Sequence, residues 1–229
     1  MAKRIVIAID GPAGAGKSTV ARRVADRLGF IYIDTGAMYR AVALWALRAG
    51  MDLTDMHRLE QLAAAAKIDF APGIDRVLLN GEDVTSEIRA PRVGDAASMV
   101  SAVPGVRRAM VAKQREMAAS ASVVMEGRDI GTVVFPEAQV KIFLDADPEI
   151  RAERRLIDLA ARGERADIDK VGAEIAERDR RDRTRQEAPL MQAADATYLD
   201  TTGMSIEDAE EAVLQLVRVR TANGKEVER

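Results

Sequence analysis

One string in the sequence has the residue types and the spacing of a phosphate-binding loop, Gly11-Pro12-Ala13-Gly14-Ala15-Gly16-Lys17-Ser18. It fits the pattern G-x-x-x-x-G-K-[ST], with a strand-like apolar run before it and helical spacing of apolar residues after it. In such a loop, backbone N–H groups surround phosphate oxygens, the lysine bridges the two outer phosphates and the hydroxyl binds magnesium. We therefore predict a triphosphate site, rather than a glycine-rich turn that matches by chance.

The donor predicted for this loop is ATP with Mg²⁺, where Lys17 is a catalytic cation and Ser18 a metal ligand. The predicted ATP-binding residues are Gly11, Pro12, Ala13, Gly14, Ala15, Gly16, Lys17, Ser18 and Thr19.

A phosphate loop does not by itself separate kinases from switch GTPases and motor ATPases. A GTPase would need a guanine-reading Asn-Lys-x-Asp string, and the sequence contains none. The string Asp200-Thr201-Thr202-Gly203 formally resembles a switch motif, but it follows the last predicted strand. We interpret it as a turn close to the base of ATP.

A second group of polar residues follows the second predicted strand, in Asp34-Thr35-Gly36-Ala37-Met38-Tyr39-Arg40. Thr35 to Tyr39 is one helical turn at the carboxyl end of a strand, where α/β sheets bind ligands. A hydroxyl, an aromatic ring and a guanidinium together suit a nucleoside monophosphate. The alternative is a capped helix with a surface arginine.

The string Glu126-Gly127-Arg128-Asp129-Ile130-Gly131 leaves another strand and brings an arginine and two carboxylates to the same edge. Glu126 could hold Mg²⁺ through water, and Arg128 could clamp a phosphate. A salt-bridged loop is the alternative.

Four charged residues, Arg178, Arg181, Asp182 and Arg185, share one face of a predicted helix. Charge-rich helices are usually solvated lattices of ion pairs, and this alternative stays open. Transfer of a phosphoryl group between two polyanions, however, needs several guanidinium groups and little covalent help from the protein.

Composition narrows the classes of protein. The chain has 229 residues, a net charge of -3, no cysteine and a single histidine, His57, at the start of a predicted helix. Disulfides, thiolate metal sites and a cysteine nucleophile are therefore excluded, and a Ser-His-Asp hydrolase is disfavoured. Near-balanced charge predicts no binding of nucleic acid polymers. We expect a cytoplasmic monomer without a membrane span.

About five buried strands alternate with helices, which predicts a parallel sheet in a three-layer α/β/α fold of the P-loop NTPase type. The predicted strands are residues 4–9, 30–33, 122–125, 140–144 and 197–199. Asn80-Gly81 between two short β-type runs predicts an additional hairpin. The predicted helices begin at Lys17 and Ser205 and cover residues 36–48, 54–67, 91–102, 104–119 and 167–185, with a charged helix from Asp147 and a disordered tail after Thr221.

Together these motifs resemble the bacterial cytidylate (CMP/dCMP) kinase family, from about Ile5 to Val217. The resemblance rests on the phosphate loop with Ile9-Asp10 before it, the strings 34–40 and 126–136, and Glu177-Arg178-Asp179-Arg180-Arg181-Asp182-Arg183. It implies transfer of the γ-phosphoryl group of ATP to CMP or dCMP. It further implies a kinase core (1–34, 97–150, 170–229), a mixed α/β acceptor-binding insert (35–96) and a helical lid (151–169).

The resemblance also implies individual roles. Ser98, Arg107 and Asp129 would read the cytosine edge, while Tyr39, Arg178 and Asp182 would hold the sugar. The acceptor phosphate would be gripped by Arg40, Arg128 and Arg185, and Arg154 would close over ATP. The predicted catalytic residues are then Lys17, Arg128, Arg154 and Arg185. The predicted substrate-binding residues are Thr35, Tyr39, Arg40, Ser98, Arg107, Arg128, Asp129, Arg178, Asp182 and Arg185.

Two alternatives remain at this point. Another P-loop kinase of a small molecule or nucleoside monophosphate would share the loop and the arginines. A non-catalytic nucleotide-binding switch would use the loop to change shape for a partner.

Overall fold

A computed structural model describes residues 4–71, 76–161 and 163–222. The chain divides into two compact units, Met1–Tyr32 with Ala121–Arg229 and, inserted between them, Ile33–Ser120. The disordered tail was predicted to begin after Thr221; Ala222 still belongs to the last helix, and residues 223–229 lie outside the described ranges.

The elements follow the α/β alternation that the sequence predicts. In chain order they are β1 (Val6–Asp10), α1 (Lys17–Leu28), β2 (Ile31–Asp34), α2 (Thr35–Arg48), α3 (Met56–Ala65), β3 (Ile68–Ala71), β4 (Arg76–Leu79), β5 (Glu82–Asp83), α4 (Pro91–Val100), α5 (Pro104–Met117), β6 (Val123–Gly127), β7 (Val140–Asp145), α6 (Pro148–Ala160), α7 (Ile168–Thr184), β8 (Thr197–Asp200) and α8 (Ile206–Ala222).

The first unit contains most of a five-stranded parallel sheet in the order β2-β6-β1-β7-β8, which confirms the predicted sheet. Strand β1 pairs in parallel with both β6 and β7, and β7 pairs in parallel with β8. The central strands β6, β1 and β7 are mostly apolar and buried, as packing on both faces of a sheet requires. The outer strands β2 and β8, which were also predicted to be buried, are partly exposed. Helices α1 and α8 pack against β1 and β7 through one buried cluster that includes Ile9, Val24, Ile142 and Leu214.

Helix α8 begins as its sequence predicts. Ser205 accepts the Asp208 N–H at 3.1 Å, and the Asp208 carboxylate accepts the Ser205 hydroxyl at 2.6 Å. The Asp208 carboxylate also accepts the Ser205 N–H at 3.4 Å, so two backbone N–H groups at the start of the helix have partners.

The second unit packs α2 against α4 and α3 against α5, beside an antiparallel sheet ordered β3-β4-β5. The predicted hairpin is confirmed between β4 and β5, where Asn80 and Gly81 have φ values of 53° and 87°. Two consecutive positive φ values are what a tight hairpin turn needs. Leu59, Ile88 and Met110 are fully buried in this unit.

The sequence analysis assigned no strand to residues 68–71, where the structure has β3. The predicted helix ahead of it, 54–67, is correspondingly shorter and ends at Ala65. A run of four residues after an alanine-rich helix gives little local indication of a strand, so a contact with a distant segment decides whether the strand forms. Asn80 donates its N–H to the Lys67 carbonyl at 2.7 Å and accepts the Lys67 N–H on its side chain at 3.0 Å.

The predicted core, insert and lid boundaries stay a prediction, because the compactness of the two units does not show which segments move. Residues 97–120 belong to the compact second unit, although the sequence analysis places them in the core. No helix within the described ranges has the length and apolarity that crossing a bilayer needs.

We expect Leu214→Ala in α8 to lower the free energy of unfolding by about 2–5 kcal/mol, because it opens a cavity in the cluster between α8 and the sheet. Leu214 is 3% exposed, whereas Val219 on the same helix is 49% exposed. Urea titration of Leu214→Ala beside Val219→Ala checks this. Equal effects of the two substitutions would contradict the assigned packing.

Candidate functional site

The predicted phosphate loop connects β1 to α1, as its motif requires. Gly11 has φ 150°, and a Cβ there would lie 1.9 Å from the Leu144 carbonyl oxygen. Gly16 precedes α1 in a left-handed conformation, with no side chain capping the helix. An uncapped helix N-terminus with inward-turned backbone suits an anion.

Lys17 is buried, and its ammonium donates to the Pro12 carbonyl oxygen at 2.6 Å. Burial, together with the positive charges of Arg128 and Arg178, lowers the pKa of Lys17 to about 7 against the opposing effect of Glu126. A bound polyphosphate would supply the negative charge that this lysine needs to stay protonated.

Asp10, the last residue of β1, accepts the N–H groups of Ile130 and Gly131, both at 2.8 Å. Burial raises its pKa to about 6, although these two hydrogen bonds oppose the rise. The carboxylate therefore ties the start of the loop to the segment after β6. That segment forms a π-helix over Ile130–Val134, which the sequence analysis did not predict.

The predicted phosphate-binding arginines of the first unit come together around carboxylates. Arg128 Nε lies 2.9 Å from Asp182 Oδ2, and Arg185 lies 3.5 Å from Asp129 and 3.8 Å from Asp182. Burial alone would raise the pKa of Asp182, but Arg128, Arg178 and Arg185 hold it below its usual value. The geometry is that of an anion site whose cations are paired with carboxylates.

Glu126 is buried near the end of β6, and its carboxylate accepts a hydrogen bond from the Tyr32 hydroxyl at 2.5 Å. Tyr32 in turn packs its ring under the guanidinium of Arg22, 5.3 Å from the ring centre. Ser18 and Thr19 are exposed in the first turn of α1. Sequence reasoning missed Tyr32, because its link to Glu126 joins two strands far apart in the chain.

Arg154 contacts the loop from α6. It donates to the carbonyl oxygens of Thr201 at 2.7 Å and Ala15 at 3.4 Å, and to the Thr201 hydroxyl at 3.1 Å. Thr201 belongs to the turn after β8 that the sequence analysis placed near the base of ATP. Arg154 therefore links that turn to the phosphate loop.

Not every residue of the predicted charged face of α7 joins this cluster. Arg181 lies 3.6 Å from Glu177, on an exposed part of the helix. Asp179, which sequence reasoning passed over, is instead 2% exposed and accepts the Ala13 N–H of the loop at 3.0 Å. The sequence did indicate this burial, since Asp179 follows Val171 and Ile175 at helical spacing on the buried side of α7.

In the second unit, α2 begins where the sequence predicts, with Asp34 capping the helix by accepting the Ala37 N–H at 2.8 Å. Asp34 also pairs with Arg40 at 2.8 Å. Thr35 is buried in the same turn, and Tyr39 is 9% exposed one turn later. Asp34 thus caps the helix and holds Arg40, so the alternative of a capped helix with a surface arginine stays open beside the ligand-binding interpretation.

The remaining predicted residues of this unit lie on α4 and α5. Ser98 is half-buried on α4. Arg107 on α5 is 3% exposed, donates to the Ser101 carbonyl oxygen at 3.2 Å and stacks over the Tyr39 ring at 5.5 Å from its centre. The second unit thus brings together Tyr39 and Arg107.

We expect Lys17→Met to be more stable than the unsubstituted protein at low pH, with a difference that shrinks as the pH rises. The unfolded chain holds this proton up to its ordinary pKa of 10.5, whereas the folded chain releases it near 7. The free energy of unfolding of the unsubstituted protein therefore gains from rising pH between these values.

Urea titrations at pH 6.5, 8 and 9.5 measure this difference, with Lys170→Met on the exposed part of α7 as the control for removing a lysine as such. A difference between Lys17→Met and the unsubstituted protein that stays constant across this range would contradict the burial of a charged ammonium.

A family model described as cytidylate kinase matches residues 7–219. The chain is 62% identical over 226 residues to a cytidylate kinase of Solibacter usitatus, which covers 98% of this chain and 97% of the relative. It is 54% identical over 222 residues to a cytidylate kinase of Pelotomaculum thermopropionicum, with 96% of each chain covered.

A solved structure of an uncharacterized protein from Eubacterium ventriosum is similar in fold, with a TM-score of 0.53 at 14% identity over 95% of this chain and 99% of the other. At that identity the likeness concerns the fold alone. The family model and the relatives extend over almost the whole length and include every motif on which the resemblance rested. The chain therefore belongs to the cytidylate kinase family.

Proposed function

We propose that this chain transfers the γ-phosphoryl group of ATP to CMP or dCMP, yielding ADP and CDP or dCDP. The observation that carries the proposal is the buried Lys17 at the phosphate loop, close enough to Arg128 and Arg178 for their charges to lower its pKa. Cations concentrated in this way stabilise the negative charge of phosphate groups that bind among them. Family membership supports the cytidine nucleotide as acceptor.

On the donor side, the loop residues Gly11 to Thr19 hold the phosphates of ATP, and Lys17 bridges the β- and γ-phosphates. Arg154 stands between the loop and the Thr201 turn. From there its guanidinium can reach the nucleotide by exchanging one of its carbonyl partners for a ligand atom.

The residues near the loop fit Mg²⁺, which takes oxygen ligands and keeps several waters. Ser18 offers an exposed hydroxyl, and Glu126 offers a carboxylate whose position the Tyr32 hydroxyl sets. The described residues contain no group of three His, Cys, Asp or Glu that could hold a metal by itself. Ser18 would ligate the ion and Glu126 would reach it through water, while the ion neutralises charge on the donor phosphates.

On the acceptor side, Arg128 and Arg185 grip the phosphate of CMP, and Asp182 with Arg178 holds the sugar. Arg128 and Arg185 are now paired with Asp182 and Asp129. A phosphate dianion competes well for such guanidinium groups because it accepts bidentate, charge-assisted hydrogen bonds.

The second unit contributes recognition of the nucleoside and its phosphate. Arg107 and Ser98 read the cytosine edge, Tyr39 contacts the sugar, and Arg40 adds a guanidinium for the phosphate. Arg107 is positioned for this by its stacking on Tyr39 and its bond to the Ser101 carbonyl. The loss of a hydrogen bond made to a substrate in a buried site discriminates strongly between bases.

The reaction is a direct in-line transfer, in which an acceptor phosphate oxygen attacks the γ-phosphorus and ADP leaves. Lys17, Arg128, Arg154 and Arg185 stabilise the charge on the transferred group. No covalent bond to the enzyme forms. Closure of the lid (151–169) would exclude water and so suppress hydrolysis of ATP. The protein works as a cytoplasmic monomer in this proposal.

A panel of acceptors tests the assignment. With MgATP, we expect ADP formation with CMP and dCMP to exceed that with UMP, AMP and shikimate by at least about 10-fold in kcat/KM, since the base contacts act on that ratio. Lys17→Met, whose folding the urea titrations establish, should lose about 1,000-fold or more in turnover. Preference for another acceptor would favour a different P-loop kinase, and no turnover with any acceptor would favour a nucleotide-binding switch.

A second prediction concerns base choice. We expect Ser98→Ala to raise KM for CMP by about 10-fold while leaving KM for ATP within about twofold, because one hydrogen bond to the base is lost. Ser86→Ala, at an exposed serine of the same unit, is the matched control. Steady-state kinetics with each substrate varied in turn measures both constants, and an unchanged KM for CMP would remove Ser98 from the base site.

A further inference from the structure

The peptide unit of Ala13, in the middle of the phosphate loop, is held on both sides by one buried ion pair. Its N–H donates to Asp179 Oδ1 at 3.0 Å, and its carbonyl oxygen accepts from Arg151 Nη1 at 3.0 Å. The same Arg151 nitrogen donates to the other oxygen of Asp179. Asp179 is 2% exposed and Arg151 is 6% exposed.

These two side chains come from helices far along the chain. Arg151 lies in the first turn of α6, where its Nε also donates to the Ala146 carbonyl oxygen at 3.0 Å. Asp179 lies on α7, next to Arg178. The contacts therefore connect the loop to two helices at once.

Packing by itself does not account for a charged pair at this place. The methyl group of Ala13 lies in an apolar cluster with residues of α6 and α7, namely Ala152, Leu159, Val171 and Ile175. Asp179 follows Ile175 by one helical turn on the same buried side. A buried ion pair is frequently no more stabilising than apolar residues of the same size, because both charges lose their water. An apolar pair, however, could not form the two hydrogen bonds to the N–H and the carbonyl oxygen of Ala13.

Gly14, the residue after Ala13, packs tightly against Arg151. Gly14 has φ 75°, and a Cβ on it would lie 2.9 Å from the Arg151 carbonyl oxygen and 3.1 Å from the Arg151 Cβ. The backbone of the loop and the start of α6 are therefore in direct contact, so a shift of either must move the other.

We propose that Arg151 and Asp179 are positioning residues that set the shape of the phosphate loop for ATP by clamping the Ala13 peptide. The inference deepens the proposed function and rests on it, since it assigns the clamp to the donor site. Because α7 also carries Arg178, Asp182 and Arg185, the clamp joins the loop to the helix that presents the acceptor-phosphate cations. Arg151, predicted to begin the lid, is in this inference a fixed point of the loop.

The test compares three variants of the full chain: Arg151→Met, Asp179→Leu and the double variant. Each replacement is apolar; Leu is close to Asp in length, and Met is an unbranched side chain that is shorter than Arg. Two quantities are measured for each, the midpoint of urea unfolding and the Kd of a non-hydrolysable ATP analogue with Mg²⁺. The Kd of CMP alone is the internal reference, and Glu177→Gln on the exposed side of α7 controls for losing one acid from this helix.

We expect each single variant to unfold at lower urea, because it leaves one buried charge without its partner, and the double variant to recover most of that loss. The Kd of the ATP analogue should rise by about 10-fold or more in Asp179→Leu and should stay raised in the double variant, since the Ala13 peptide is still unheld. The Kd of CMP should change by less than about threefold, and Glu177→Gln should match the unsubstituted protein.

Recovery of both stability and ATP affinity in the double variant would overturn the proposal, because the pair would then be merely structural. Equal losses of ATP and CMP affinity would overturn it as well. If Asp179→Leu does not fold, Asp179→Asn replaces it, since the amide oxygen can still accept the Ala13 N–H but carries no charge for Arg151. We then expect a smaller rise in the Kd of the ATP analogue, and an unchanged Kd would contradict the clamp.

This experiment separates the inference from the proposed function. It measures binding of the donor analogue, with CMP only as a reference ligand, and it needs no turnover. If the panel of acceptors failed to favour CMP while Asp179→Leu still lost ATP affinity, the clamp would stand and the substrate assignment would fall. If CMP were favoured and the variants bound ATP normally, the reverse would hold.

Discussion

Cations close to the phosphate loop have lost most of their water. The arrangement of the side chains around them depends on how this positive charge is balanced. Lys17 is buried beside the charges of Arg128 and Arg178, which together with desolvation lower its pKa. Isolated buried charges are very unfavourable. The first unit meets this constraint with carboxylates, because Asp182 pairs with Arg128 and Asp179 with Arg151.

The same constraint explains how nucleotides would be recognised. A site in which cations are concentrated and paired with carboxylates can exchange those carboxylates for ligands that bring several negative charges. Phosphates can take over guanidinium bonds now made to Asp182 and Asp129, and they can restore the proton of Lys17. Binding and charge balance are then one process, which suits an enzyme that must bring two polyanions together.

The second unit uses a related arrangement within itself. Arg40 is held by Asp34, and Arg107 is stacked on Tyr39. Each pairing limits the rotamers of a long side chain before a ligand arrives, so less conformational entropy is lost on binding. In the proposed function, Arg40 and Arg107 contact the acceptor nucleotide, and the structure shows which neighbours hold them.

The sequence by itself determined the phosphate loop, the five strands, the Asn80-Gly81 hairpin and the family, because these depend on local glycine geometry, apolar patterning and continuous motifs. Strand β3, the π-helix after Asp129 and the Tyr32–Glu126 bond were decided by the tertiary structure alone. So was the difference between Asp179, which is buried against Ala13, and Arg181, which faces Glu177. Helical spacing places charged residues on a face, but only contacts between distant segments decide which of those charges lose their water and must find a partner.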